Sequence, residues 1–224
     1  MSTDAPRRRT LLFRRATFWV PTWRVGIPVA LLMILVVTGI GRGLHDFLSL
    51  NHPVPANVLV VEGWSPDYAL EAARDEFQRG DYDLVIASGG PISQGYLVSG
   101  YETYADLAMA GLRKLGFSTN HVAAAPAEKT YRNRTYVSAR SVDALLIRQP
   151  LDVRGINIVS VGTHARRSAA VYRKVLGHRC PVGVISIAPR DYDTDRWWTS
   201  SDGLKTTAVE GLGWLHEILF DSGR

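Results

Sequence analysis

The chain has one cysteine, Cys180, in 224 residues. That excludes an intramolecular disulfide framework; it fits either side of a membrane, so it does not decide the redox compartment. Familiar loops of nucleotide chemistry are also missing: no G-x-G-x-x-G follows the first predicted strand and there is no Walker loop. Nor is there a G-x-S-x-G elbow, or a close His/Cys/Asp cluster of the kind that holds zinc. No metal ligand set is therefore expected, the identity of any cofactor stays open, and no nucleophile is obvious. Basic charge is short too, once its position is considered. Residues 1–42 hold seven Arg and one acid, Asp4, leaving 19 basic and 20 acidic residues for the rest of the chain. The pI near 9.5 belongs to that leader and gives no support to a nucleic-acid partner.

One long hydrophobic run is present. Residues 25–41 carry no charge, and Pro21, Thr22 and Trp23 extend the uncharged flank beyond Arg24. A membrane helix needs about 20 apolar residues, and an arginine one turn inside its end can snorkel to the headgroups. Trp19 and Trp23 stand where an aromatic belt would place them. Residues 31–37 are apolar on every face, unlike the single stripe of a surface helix in a soluble domain. A cleavable signal peptide is the sharper alternative, but its apolar core is usually about 7–15 residues, and Gly39-Ile40-Gly41 is a weak cleavage site. The expectation is a leader at 1–21, a bilayer-spanning anchor at 22–44, a linker at 45–56 and a domain at 57–224. Arg7, Arg8, Arg9, Arg14, Arg15 and Arg24 precede the span and Arg42 follows it. The positive-inside rule then puts the N-terminus in the cytoplasm and the domain outside, as for a single-pass membrane protein.

Beyond Pro53 and Pro55 short apolar runs alternate with helical patterns. Strands are expected at 58–61, 84–87, 122–125, 156–161 and 182–187. Ser65-Pro66-Asp67 reads as a helix start, and further helices fit 102–115, 135–147, Thr163 (as a cap) to Leu176, and a last one in which Leu204, Ala208, Leu212, Leu215 and Leu219 would lie on a sheet. The implied fold is α/β: a parallel sheet with helices on both faces, preceded by one transmembrane helix.

Ligands of such sheets bind beyond the carboxyl ends of the strands. There the chain delivers Glu62-Gly63-Trp64, then Ser88-Gly89-Gly90, then Arg134-Thr135, then Thr163-His164 with Arg166 and Arg167. A final stretch brings Arg190, Asp191, Trp197 and Trp198. Glycines let backbone N–H groups approach a ligand, and arginines fork onto phosphate or carboxylate oxygens. The set reads as a pocket for an anionic, phosphorylated small molecule. His164 and Arg167 lie three apart on one helical face and could converge on one group. His164 and Glu62 are the candidate acid–base residues. Each has a plainer reading: the tryptophans as packing, Arg166 as a solvated charge, Glu62 as the structural partner of an arginine. Cys180, before the fifth strand, lies at the other edge of the sheet.

The order of these residues resembles the DUF218 family of ElyC, SanA and YdcF types, over roughly residues 57–219. The matching positions are Ser88-Gly89-Gly90, Glu102 opening a helix, Arg134-Thr135, and the run from Ser160 through His164 and Arg167 to Ser168. The chain departs from the family in having Glu62-Gly63-Trp64 for a glycine-rich loop and Ala69 for a common Arg. After Thr135 stand Val137 and Ser138, where x-Glu-Asn is usual; aligned on Thr130 instead, Arg132 replaces the Glu and Asn133 is kept. The resemblance implies a Rossmann-like fold, an inner-membrane anchor and a role in bacterial envelope or peptidoglycan maintenance. Two functions follow as expectations. One is an envelope enzyme acting on a phosphate-bearing lipid carrier or cell-wall precursor, with Gly63, Trp64, Glu102 and Thr163 among the ligand contacts. The other is a non-catalytic, membrane-tethered module that binds an anionic ligand or a protein partner.

Overall fold

A computed structural model of the protein describes residues 22–220 and residue 223. The arginine-rich leader and Trp19 lie outside the described residues. The chain divides into a unit up to Ile40 and a unit from Gly41 onward. The first unit holds most of helix α1 (Trp23–Leu48), which is long and apolar enough to cross a membrane and has none of its apolar stretch buried. A core helix of a soluble domain would be mostly buried. This one is a candidate membrane span.

The second unit is a five-stranded, all-parallel sheet in the order β3-β2-β1-β4-β5. Its strands are β1 (Val58–Glu62), β2 (Leu84–Gly89), β3 (Val122–Pro126), β4 (Ile156–Val161) and β5 (Val182–Ile187). All five expected strands are found, and the fold is Rossmann-like. Successive side chains of a strand point to opposite faces, and both faces are covered. Val58, Val60, Ile86, Ile156 and Ile158 pack beneath α5 (Arg134–Arg148) and α6 (Ala165–Leu176). Leu59, Val61, Val85, Ala87 and Val159 pack beneath α2 (Asp67–Arg79) and α4 (Tyr104–Lys114). A single turn, α3 (Tyr96–Ser99), precedes α4, and α7 (Ser201–Phe220) packs on α6. Crossovers leave β1 for β2 on one side and reach β4 on the other. The β1–β4 boundary is thus the switch point where such sheets open a crevice.

Several local expectations shift. The stretch expected as a linker is packed into the domain: α1 continues to Leu48, which is fully buried, and His52 pairs with Val184 through two backbone hydrogen bonds of 2.8 and 3.0 Å. Pro66, rather than Ser65, is the N-cap of α2, and it offers no side-chain acceptor. Thr163 does not cap α6. It lies fully buried in a 3-10 turn, Gly162–His164, beside the Tyr192 hydroxyl. Thr103 caps α4 by accepting from Asp106 N–H, so Glu102 stands just outside the helix.

The largest difference is α7. Its leucine stripe does not lie on a sheet: Leu204, Leu212, Leu215 and Leu219 are exposed, and Gly203, Thr207 and Glu217 are the buried residues. The reason is geometric. Two stripes run along this helix, and the polar one carries the carboxylates that α6 needs.

Candidate functional site

Strand β1 ends in a carboxylate, and β4 runs into the turn that carries a histidine. Parallel register sets Glu62 beside Ser88 of β2, while β4 brings Ser160 to its other side. Glu62 is buried; its Oε2 accepts from Ser160 Oγ at 2.5 Å and its Oε1 from Ser168 Oγ at 2.7 Å. The Nε2 of His164 lies 3.3 Å from Glu62 Oε1. That is ion-pair distance without hydrogen-bond alignment, so the attraction is coulombic.

The other imidazole nitrogen, Nδ1, faces Glu210 Oε1 at 3.0 Å. Arg167 forks onto the same carboxylate, Nε to Oε2 at 2.9 Å and Nη2 to Oε1 at 3.1 Å, and its Nη1 donates to Thr135 Oγ1 at 3.3 Å. Arg167 Nη2 is also 3.0 Å from His164 Nδ1. With a proton on Nδ1 both are donors, and Glu210 is the acceptor they share. Histidine and arginine three apart thus converge on one group, as their spacing predicts, and that group is an acid from α7.

Burial alone would push the His164 pKa down, but Glu62 and Glu210 outweigh it and raise it to about 9. Burial likewise opposes ionisation of the two acids. Against it, His164 with the serine hydroxyls holds Glu62 below the usual carboxylate range, and His164 with Arg167 takes Glu210 down to about 2. Near neutral pH the site is two carboxylates, an imidazolium and a guanidinium, and its charges balance. His164 stands between the carboxylates, one on each ring nitrogen, so the three do not converge on a point where a metal ion could sit. Among the described residues no group of three or more His, Cys, Asp or Glu is arranged for a metal.

The other expected site residues are distributed around this cluster. Trp64, exposed, meets the His164 ring in a T-shaped arrangement at 4.9 Å between centroids. The Ser88 hydroxyl is buried and bonded to the Tyr172 hydroxyl at 2.9 Å, so it faces the core. Gly63 and Gly89 admit the start of α4. A Cβ on Gly63 would stand 2.4 Å from the Tyr104 carbonyl oxygen, and one on Gly89 would stand 2.9 Å from Tyr104 Cβ. Gly90 has no such crowding, and its carbonyl accepts Tyr104 N–H. Arg134 opens α5 and is exposed, as is Glu102. Trp197 is buried, while Trp198 lies under the Arg42 guanidinium.

Cavities open among the described residues of the second unit. One of about 250 Å³ lies at the carboxyl edge, bounded by His45, Ser49, Gly162, Ser186 and Pro189. Another, of about 500 Å³, lies at the amino edge beside Cys180, away from the charged cluster. A comparison with protein-family models and another with curated proteins each found no match to this chain.

Sequence reasoning missed Glu210. It sits mid-helix, whereas attention to strand ends selects loops. A signal was available: Gly203, Thr207, Glu210, Trp214 and Glu217 recur at helical spacing and form a second stripe.

Proposed function

We propose that the protein is a membrane-anchored bacterial envelope protein that binds a phosphate-bearing ligand, a lipid carrier or cell-wall precursor, at the carboxyl edge of its sheet. The observation that carries this reading is the two-pronged grip of His164 and Arg167 on the Glu210 carboxylate. A phosphate offers the same paired oxygens to the same donors. Glu210 is then a resident carboxylate that an incoming anion displaces. The DUF218-like order of residues supports an envelope role, and the arginine count before the span supports a domain outside the cytoplasm.

The test is titration of the detergent-solubilised full chain with inorganic phosphate and with a short polyprenyl phosphate. Arg167→Ala should weaken binding by roughly 10- to 150-fold, the scale of a hydrogen bond to a charged group. Arg167→Lys should recover only part of that. Glu210→Gln should bind more tightly, because the competing carboxylate is gone. Equal affinity in all four proteins would sink the reading. A catalytic version is favoured by the His164 imidazolium, a proton donor held against Trp64. It adds one outcome, hydrolysis of a polyprenyl diphosphate, a reaction lost in His164→Asn. Water attacks the terminal phosphorus, the bond to the bridging oxygen breaks with His164 protonating that oxygen, and inorganic phosphate and the polyprenyl monophosphate are released.

A further inference from the structure

Helix α7 has its polarity reversed with respect to the domain it belongs to. Between Lys205 and Phe220 both acidic residues, Glu210 and Glu217, turn inward, where Glu217 pairs with Lys174. The outer face is apolar and open: Leu212 is 68% exposed, Leu219 64% and Phe220 66%. Water gains nothing from such a face, and isolated soluble domains seldom leave one of this length uncovered.

What lies beside this face indicates its partner. Residues 41–48, the part of α1 that belongs to the domain, pack on α7. The Phe47 ring meets Trp214 edge-on at 4.9 Å between centroids, and Gly211 faces Leu44 and Leu48. Gly41, where this part of α1 begins, is covalently joined to the apolar stretch of the candidate span. Cations and aromatic rings also gather around residues 41–48. Arg42 lies over Trp198 at 5.5 Å and Arg166 over Phe47 at 3.8 Å, and Lys205 is exposed on α7 itself. Apolar face, aromatic rings and basic rim are the ingredients of a helix lying in the headgroup–acyl boundary.

We infer that the outer face of α7, centred on Leu204, Ala208, Leu212, Leu215 and Leu219, docks on the lipid bilayer. The inference rests on α1 acting as the anchor, and phosphate binding plays no part in it. Docking would hold Glu210, on the opposite face of α7, close to the membrane surface. The charged site would then be presented to lipid-linked rather than freely diffusing ligands.

The test uses the full chain in phosphatidylcholine vesicles, with Cys180→Ala as background and one environment-sensitive fluorophore per variant. Labels are placed through Leu212→Cys on α7, Asp75→Cys on α2 at the other face of the sheet, and Met33→Cys within the span. Lipids carrying spin labels on their acyl chains should quench the label at 212 several-fold more than that at 75, with the emission at 212 blue-shifted. In Leu215→Glu that difference should shrink toward the level at 75. Quenching at 33 without quenching at 212 overturns docking while leaving the anchor intact; no quenching at either site overturns both. A label at 212 that is shielded from lipid quenchers, with energy transfer between copies that rises with protein-to-lipid ratio, overturns the bilayer in favour of a second copy of the chain.

Discussion

The two edges of the sheet solve the problem of buried polar groups in opposite ways. At the amino edge the work is done by neutral amides. Asn157 donates to the Val54 carbonyl and the Tyr82 hydroxyl and accepts from Val54 N–H, at 2.8–2.9 Å. Asn57 likewise joins Asp83, the Asp152 carbonyl and Arg154 N–H. At the carboxyl edge the buried charges are Glu62 and His164, with Glu210 and Arg167 largely buried beside them. Neutral amides fix the loops at modest desolvation cost and at any pH. Charges cost several kcal/mol each to bury and hold only while their partners stay ionised. A fold that needed only to close its loops could use amides at both edges, so the charged edge is the one to test for function.

The largest expected effect comes from breaking that charged edge. Glu62→Gln leaves His164 without its inner carboxylate and should cost about 3–5 kcal/mol, the scale for removing one partner of a buried pair. Denaturant unfolding of the wild type and the variant at several pH values would measure it. The His164 pKa is raised to about 9, so its contribution is complete below its ordinary value of 6.5 and is lost as pH climbs through 9. Glu210 is depressed to about 2, so its contribution is complete above 4.5 and is lost as pH falls toward 2. Stability should therefore plateau between 4.5 and 6.5 and decline above, and Glu62→Gln should flatten the alkaline decline. An unchanged alkaline limb in the variant would mean that His164 is not held as an imidazolium.

The comparison sharpens with Asn157→Ala. Three hydrogen bonds go, and the Val54 N–H and carbonyl lose their partner, a loss of about 1–3 kcal/mol. The variant should keep the wild-type pH profile, displaced downward at every pH. A change in the shape of that profile would show that the two edges are coupled and end the contrast drawn between them.

The sequence exposes this contrast only in part, for physical reasons. Strands fully buried on both faces read as continuous apolar runs, which made β1, β2, β4 and β5 plain. The alanine-rich β3 was fainter for want of branched residues. His164 and Arg167 were legible because they follow a strand end and share a helical face. Glu210 was not, since nothing local marks a mid-helix glutamate as facing inward; only the docking of α7 on α6 does that. The leucines of α7 pointed the other way, because periodicity reports that a helix has an apolar face but not what covers it. The packing of Leu48 and His52 into the domain was hidden for the same reason, as contacts across more than 100 residues leave no local pattern.

The smallest effect concerns Ser88-Gly89-Gly90, where neighbouring glycines stand in different surroundings. A methyl on Gly89 would press on Tyr104 Cβ at 2.9 Å and Ala105 N at 3.3 Å, so α4 would have to move. A methyl on Gly90 would meet only the Ala127 and Glu128 carbonyl oxygens at 3.7 and 3.8 Å, ordinary contact, and the backbone there is not left-handed. Gly90→Ala should therefore change stability by no more than about 0.5 kcal/mol, as an unconstrained substitution does. Gly89→Ala should lower Tm clearly in the same assay. Packing thus gives no reason for glycine at position 90, and close approach of a ligand to its backbone supplies one. If Gly90→Ala keeps its stability and loses phosphate affinity in the titration used for Arg167, the anion reaches from His164 across β1 to the end of β2. If it keeps both, the anion stays on the His164–Arg167 side, and the glycine pair serves only to seat α4.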